Sequence, residues 1–155
     1  MKGADTMDMD HSVVQMEEKR IAGFTARTSN TSPDMGAVIG GLWQRFFAEG
    51  YGVLDKVNGK TLGIYTDYES DETGGYTFMT ACEVKGEVPE GLTERIIPAG
   101  KYARFVIRGN MMTVVGEFWQ ALWQMKLDRA FTCDYEEYQN SDPENCEIHI
   151  YISLK

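Results

Sequence analysis

Between Met35 and Phe47 the apolar residues recur at three- and four-residue intervals: Met35, Val38, Ile39, Leu42, Trp43, Phe46 and Phe47. That spacing keeps them on one side of an α-helix. Just ahead, Ser32-Pro33-Asp34 supplies a hydroxyl cap, a proline whose missing N–H costs nothing in the first turn, and an acid at the positive end of the helix dipole. Gly50 is placed to end the helix. On either side the period shortens to that of strands. "VVQMEEKRIAGFTAR" (13–27) is rich in β-formers and interrupted by Ala22-Gly23, which predicts one strand with a bulge or bend at the glycine. "LGIYTDY" (62–68) and "GYTFMTACEV" (75–84), joined by the turn-like "ESDETGG", predict a hairpin.

The same order of elements then returns. "IIPAGKYARFVIRG" (96–109) reads as a strand. Residues 113–128 read as a helix with Val115, Phe118, Trp119 and Leu122 on one stripe, "CDYEEY" as a short strand, and "CEIHIYISL" (146–154) as an alternating strand. Three local matches support a duplication: Ala22-Gly23-Phe24-Thr25-Ala26-Arg27 with Ala99-Gly100-Lys101-Tyr102-Ala103-Arg104, Leu42-Trp43-Gln44 with Leu122-Trp123-Gln124, and Asp67-Tyr68-Glu69 with Asp134-Tyr135-Glu136. A strand-helix-strand-strand unit of about 70 residues rarely closes its own core. Two copies should therefore pack together as one α+β domain over 13–155, with half-repeats at about 13–86 and 93–155, pseudo-twofold symmetry and a pocket at the seam. Residues 1–12 show no periodic apolar pattern and are expected to be a disordered leader.

Composition removes several functions. The net charge is −9, from 24 acids against 15 bases spread along 155 residues, so no cationic face is expected for phosphate backbones and no direct binding to DNA or RNA. No apolar run approaches the roughly 18 to 20 residues of a membrane span, and "MKGADTMDMDHS" lacks the basic-then-apolar order of a signal peptide. A cytoplasmic location follows as the expectation. Cys82, Cys133 and Cys146 form no CxxC pair and fit free thiols. His11 and His149 have no second ligand at metal-binding spacing. There is no GxSxG, P-loop or GxGxxG string. Neither a metal nor a cofactor is expected, and Cys133, beside Asp134 and no cation, reads as a structural thiol.

Aromatic residues are 12% of the chain. Packing accounts for most of them, but Trp43 and Trp123, matched between the halves, suit a pocket wall equally well. Near them stands "DYEEY". In an extended strand Asp134, Glu136 and Tyr138 share one face while Tyr135 and Glu137 share the other, so one of the two glutamates faces the aromatic side. A charged edge strand guarded against aggregation is the plain reading. The alternative is an inward glutamate in an aromatic pocket, where a lipophilic cation offsets the cost of burial and gains cation–π attraction.

With "YARFVIRG", "FWQALWQM" and "DYEEY…DPENCEIHIYISLK", echoed in the first half, the chain resembles the GyrI-like or AraC-type effector-binding domains. That family includes the drug-sensing domains of MerR-type and AraC-type regulators and stand-alone effector-binding proteins encoded on integron cassettes. The resemblance covers nearly everything after residue 12. It implies tandem SH2-like βαββ motifs, antiparallel sheets and two main helices around a central pocket, with affinity for bulky lipophilic cations. It also implies a glutamate after an aromatic on the penultimate strand, which matches Glu136 after Tyr135. Trp119, Trp123, Tyr65, Tyr76, Tyr51 and Trp43 join it as candidate pocket residues from burial and the repeat. The chain departs from the regulators in having no basic helix-turn-helix module, so a small-molecule binder ranks first. Two alternatives remain: a hydrolase of reactive cyclopropane-containing compounds using the pocket glutamate, and an acidic module acting on gyrase or a transcription regulator.

Overall fold

The computed structural model describes residues 10–155, so most of the leader expected over 1–12 lies outside the described residues. Eight strands and two α-helices follow in the order β1 (Ser12–Met16), β2 (Lys19–Ser29), α1 (Met35–Arg45), β3 (Thr61–Thr66), β4 (Gly75–Glu83), β5 (Thr93–Ile97), β6 (Gly100–Gly109), α2 (Met111–Leu122), β7 (Cys133–Tyr138) and β8 (Cys146–Ser153). The fold is α+β, a duplicated βαββ unit with every strand pairing antiparallel.

Two strands expected as single runs are each divided. The break in 13–27 falls at Glu17-Glu18, not at Gly23, and the break in 96–109 falls at Pro98-Ala99. Proline has no N–H for a ladder, and Gly100 resumes at φ +154°, a conformation side chains rarely adopt. Gly23 stays in mid-strand for a different reason. A Cβ there would fall 1.7 Å from the Thr80 carbonyl oxygen, so the close approach of β4 requires a glycine.

The sheet order is β1-β6-β8-β7-β3-β4-β2-β5. The central six strands are palindromic, β6-β8-β7 in one half against β2-β4-β3 in the other, with the β3–β7 ladder as the seam. The outermost strands are exchanged: β1, which leads into β2, pairs with β6, and β5, which leads into β6, pairs with β2. Only two residues separate β1 from β2 although they stand near opposite edges. The sheet must therefore curl until its edges approach each other.

Curling encloses one face. Ile21, Leu62, Ile64, Met79, Ile97, Tyr102, Tyr135 and Tyr151 form a buried cluster drawn from both halves. On the opposite face α1 packs through Leu42, with Phe46 just after it, on Ala22, Phe24, Tyr76 and Phe78. Likewise α2 packs through Phe118 and Leu122 on Ala103, Phe105, Ile148, Ile150 and Ile152. Among the described residues no helix is long and apolar enough to cross a membrane.

The helix ends differ from expectation. Asp34 precedes α1 without a side-chain cap, and the helical path continues beyond Arg45 through a π-helical turn (46–50) and a 3-10 turn (51–53), so Gly50 does not stop it. Helix α2 begins at Met111, where the Asn110 side chain accepts from the Met112 N–H at 2.9 Å. It ends at Leu122, short of the expected residue 128.

The halves also correspond in a register the local matches missed. Pairing helix start with helix start sets Leu42 and Phe46 against Phe118 and Leu122, the buried residues of each helix. Trp43 then corresponds to Trp119, one turn before the Trp123 of the sequence match. Ala22 and Phe24 correspond to Ala103 and Phe105 beneath the helices. Carried through the strand registers, Gly63 becomes the counterpart of Glu136 and Tyr65 that of Tyr138. The Asp67-Tyr68-Glu69 match fails for a simple reason: it follows β3, whereas Asp134-Tyr135-Glu136 lies within β7.

Candidate functional site

Glu136 sits on β7 directly opposite Gly63 of β3, on the seam between the halves. Alternation along β7 sends Tyr135 into the enclosed core and Glu136 to the helix-bearing face, with Asp134 and Tyr138 beside it. The glycine makes that placement sterically feasible. A Cβ on residue 63 would lie 3.1 Å from Glu136 Oε1 and 3.2 Å from Trp43 Cζ2. One half of the duplication therefore supplies the carboxylate and the other the space for it.

The side chain is 1% exposed. Its Oε2 accepts from Tyr65 OH at 2.7 Å and from Trp119 Nε1 at 2.8 Å, and its Oε1 accepts from Tyr138 OH at 2.8 Å. Hydrogen bonds to a charged group each contribute about 1.5–3 kcal/mol, whereas isolating a carboxylate from water costs several kcal/mol. Here desolvation is the larger effect and raises the carboxyl above its ordinary 4.5, against the opposing pull of Trp119, Tyr65 and Tyr138. Among the described residues no cationic side chain pairs with Glu136. Tyr65 and Tyr138 titrate well above 10, from burial first and the neighbouring charge second, and so remain donors at neutral pH.

Above this carboxyl lies a cavity of about 630 Å³ between α1, α2 and the sheet, within the range of about 300–1,000 Å³ common for small-molecule sites. The two helices line it with corresponding residues: Met35 and Met111, Ile39 and Val115, Gly40 and Gly116, Trp43 and Trp119, Phe47 and Trp123. The sheet adds Tyr65, Tyr76, Phe78 and Tyr138. Tyr65 and Trp119 meet with ring centres 4.9 Å apart, and Trp43 meets Tyr138 edge-on at 5.6 Å. Met112, 84% exposed, and Phe47, 57% exposed, mark the open side.

Of the residues singled out in the sequence, Glu136, Trp119, Trp123, Tyr65, Tyr76 and Trp43 line this cavity. Tyr51 does not. It packs against Phe46 and Phe47 beyond α1, under the Lys56 ammonium, and its hydroxyl donates to the Gly59 carbonyl at 3.1 Å. Tyr138 and the helical glycines were not among the candidates, although the alternation of "DYEEY" already placed Tyr138 beside Glu136.

A second buried carboxylate lies two residues away. Asp134 accepts from Tyr68 OH at 2.6 Å, Arg129 Nη2 at 2.8 Å, the Ser153 N–H at 2.8 Å and Ser153 Oγ at 3.0 Å. Unlike Glu136 it has a cationic partner. Cys133 is buried and unpaired, its thiol pushed up to about 12 by burial and then by Asp134, which withholds the thiolate that nucleophilic chemistry needs. Among the described residues no group of three or more His, Cys, Asp or Glu is placed to hold a metal ion.

A duplicated βαββ fold with a cavity between its helices is the architecture of an effector-binding domain. The chain belongs to the Cass2 family, the integron-associated effector binding proteins, whose sequence profile matches residues 12–154. It is similar to an integron cassette protein from the mobile metagenome of Vibrio cholerae, with 27% identity over 94% of this chain and 95% of that one and a TM-score of 0.79. SAV2435, solved with bound tetraphenylphosphonium, shares the fold at 20% identity over 95% of this chain and 94% of that one, TM-score 0.75. So does a protein of Staphylococcus aureus MU50 described as a putative bacterial transcription regulation protein, at 19% identity over 96% and 99%, TM-score 0.72. No curated protein matches the chain in sequence.

Proposed function

We propose that this protein binds lipophilic small-molecule cations in the cavity above Glu136. The observation that carries this reading is a carboxyl 1% exposed, held by three neutral donors and, among the described residues, no cation, at the floor of an aromatic cavity. Ionised, it is a buried charge awaiting a counterion, and a ligand cation offsets the desolvation that the protein alone does not. The surrounding π faces attract the same charge.

Hydrogen-bond geometry narrows the ligand. Tyr65, Trp119 and Tyr138 already fill three of the roughly four acceptor positions of the carboxylate, so the site favours a cation that needs few or no N–H donors, such as a phosphonium or quaternary ammonium with aryl arms. The phosphonium bound by SAV2435, a protein of the same fold, supports that class. Glu136, Trp43, Tyr65, Tyr76, Trp119 and Trp123 are the proposed contacts, with Tyr138 added.

Titration with tetraphenylphosphonium, followed by tryptophan fluorescence, tests this. Saturable binding is expected, weakened at least about tenfold, or about 1.4 kcal/mol, in Glu136→Gln with an unchanged circular dichroism spectrum. Equal affinity of both forms for the cation overturns the role of Glu136.

A further inference from the structure

Beside the main cavity lies a second one of about 290 Å³, and the two share Glu72, Trp123 and Arg129 as a common wall. The smaller cavity is completed by Leu122, Met125, Leu127 and Phe131 and by the charged residues Asp71, Asp128 and Lys155. Arg129 is the feature of this wall that packing does not explain. It is 8% exposed, and only its Nη2 is used, on Asp134. Its Nε is buried with no acceptor, and its Nη1, which is not enclosed in the same way, has no acceptor among the described residues. A buried guanidinium normally satisfies its whole fork of donors, and each donor left unmet costs about 1–3 kcal/mol.

The guanidinium is held in place from several sides. The Arg129 backbone bridges to Leu154, the next N–H donates to the Ser153 carbonyl at 2.9 Å, and the guanidinium lies 4.2 Å over the Phe131 ring. Phe131 adopts φ +55°, a conformation costly for a bulky residue, to put its ring there. Asp134 cannot take more donors from Arg129 without losing others, since it already accepts four hydrogen bonds. Nη1, rather than the enclosed Nε, is the part of the fork left to whatever occupies the cavities.

We propose that Arg129 is a second recognition point of the site, receiving an uncharged oxygen acceptor, of the carbonyl or ester type, carried by the same ligand whose cation sits above Glu136. This inference rests on the cation reading and extends it. The reach is short: Asp134 and Glu136 are two residues apart on one strand face, about 7 Å, so one drug-sized molecule spans both points. The acceptor is uncharged because the surroundings oppose an anion. Asp134 already balances the Arg129 charge, and Asp71, Glu72 and Asp128 outnumber the remaining Lys155 around the smaller cavity.

Three dyes separate the possibilities. Tetramethylrosamine and tetramethylrhodamine methyl ester are permanent cations that differ only in a methoxycarbonyl group, and zwitterionic tetramethylrhodamine replaces that ester with a carboxylate. Fluorescence titration of the wild-type protein is expected to give at least tenfold tighter binding for the ester than for the rosamine, and weaker binding for the zwitterion than for the ester. Leu127→Trp, which fills the smaller cavity from a residue outside the main one, should bring the ester-to-rosamine ratio near one and leave rosamine affinity within twofold. The paired variant Arg129→Met/Asp134→Asn removes both partners of the buried ion pair and should also abolish the ratio. Equal wild-type affinity for ester and rosamine overturns this inference while leaving the cation reading intact. So does a zwitterion tighter than the ester, or a ratio that survives both variants. If none of the dyes binds, the cation reading fails and the role of Arg129 fails with it.

Discussion

Glu136 exerts opposite pH effects on folding and on the proposed ligand. Its carboxyl titrates above 4.5 because burial outweighs the three hydrogen bonds. Between 4.5 and the raised value the folded state holds more protons than the unfolded one, so the stability contributed by this group is fully present below 4.5 and lost as pH rises through the folded pKa. A bound cation prefers the ionised form and should bind more weakly as pH falls through that value. The Tm of Glu136→Gln is therefore expected to gain on wild type as pH is raised from 4.5 to 8, while the wild-type Kd for tetraphenylphosphonium rises as pH is lowered. A pH-independent Tm difference would mean that the acid does not titrate in this range. Alternation in "DYEEY" put Glu136 and Tyr138 on one face but left open which glutamate looked toward the aromatic side; the resemblance to effector-binding domains selected Glu136, and Tyr138 shares its face. Tyr51 was misplaced because aromatic content cannot say on which side of a helix end a ring folds back, and here Phe46 and Phe47 hold it away from the cavity.

At the scale of elements, the two helices were legible from their apolar stripes, but each stripe was wider than a core requires. Leu42, Phe46, Phe118 and Leu122 are buried, whereas Met35, Ile39, Trp43, Phe47, Val115 and Trp119 face the cavity. Hydrophobic period cannot separate these roles, since both want apolar side chains on the same side. The paired tryptophans were read one turn out of register because "WQ" occurs at both 119–120 and 123–124, and only the buried positions select the first. Glycine at 40 and 116 is the clearer sign of a cavity. Both are in helix interiors, where glycine is about 1 kcal/mol less favourable than alanine, and an added Cβ would meet nothing within 4 Å. Gly40→Ala and Gly116→Ala should each raise Tm by about 2–4 °C, while the methyl groups, projecting into the cavity, weaken tetraphenylphosphonium binding severalfold. Improved stability with unchanged affinity would place the bound cation away from the helix surfaces.

For the whole molecule, the duplication was visible in the order of elements, but the exchange of β1 and β5 was not. Two long strand-like runs, 13–27 and 96–109, concealed their breaks because acidic Glu17-Glu18 and the Pro98-Ala99 link interrupt apolar patterns without ending them. Strand exchange has an energetic meaning: neither half owns all the strands of its own sheet, and the enclosed core draws on both. Fragments 10–88 and 89–155 are each expected to lack native circular dichroism alone and to recover it on mixing. A half that folds unaided would show that its sheet tolerates the loss of its partner's strand.

The same exchange limits how a guest enters. Swinging the halves apart like a clamshell would tear the β1–β6, β2–β5 and β3–β7 ladders together, so admission falls to the flank where Phe47 and Met112 stand in solvent. The way in then runs past the exposed faces of both helices, where Gly36, Gly40, Gly116 and Gln120 also reach solvent beside the cavity, so loading it leaves the strand ladders in place.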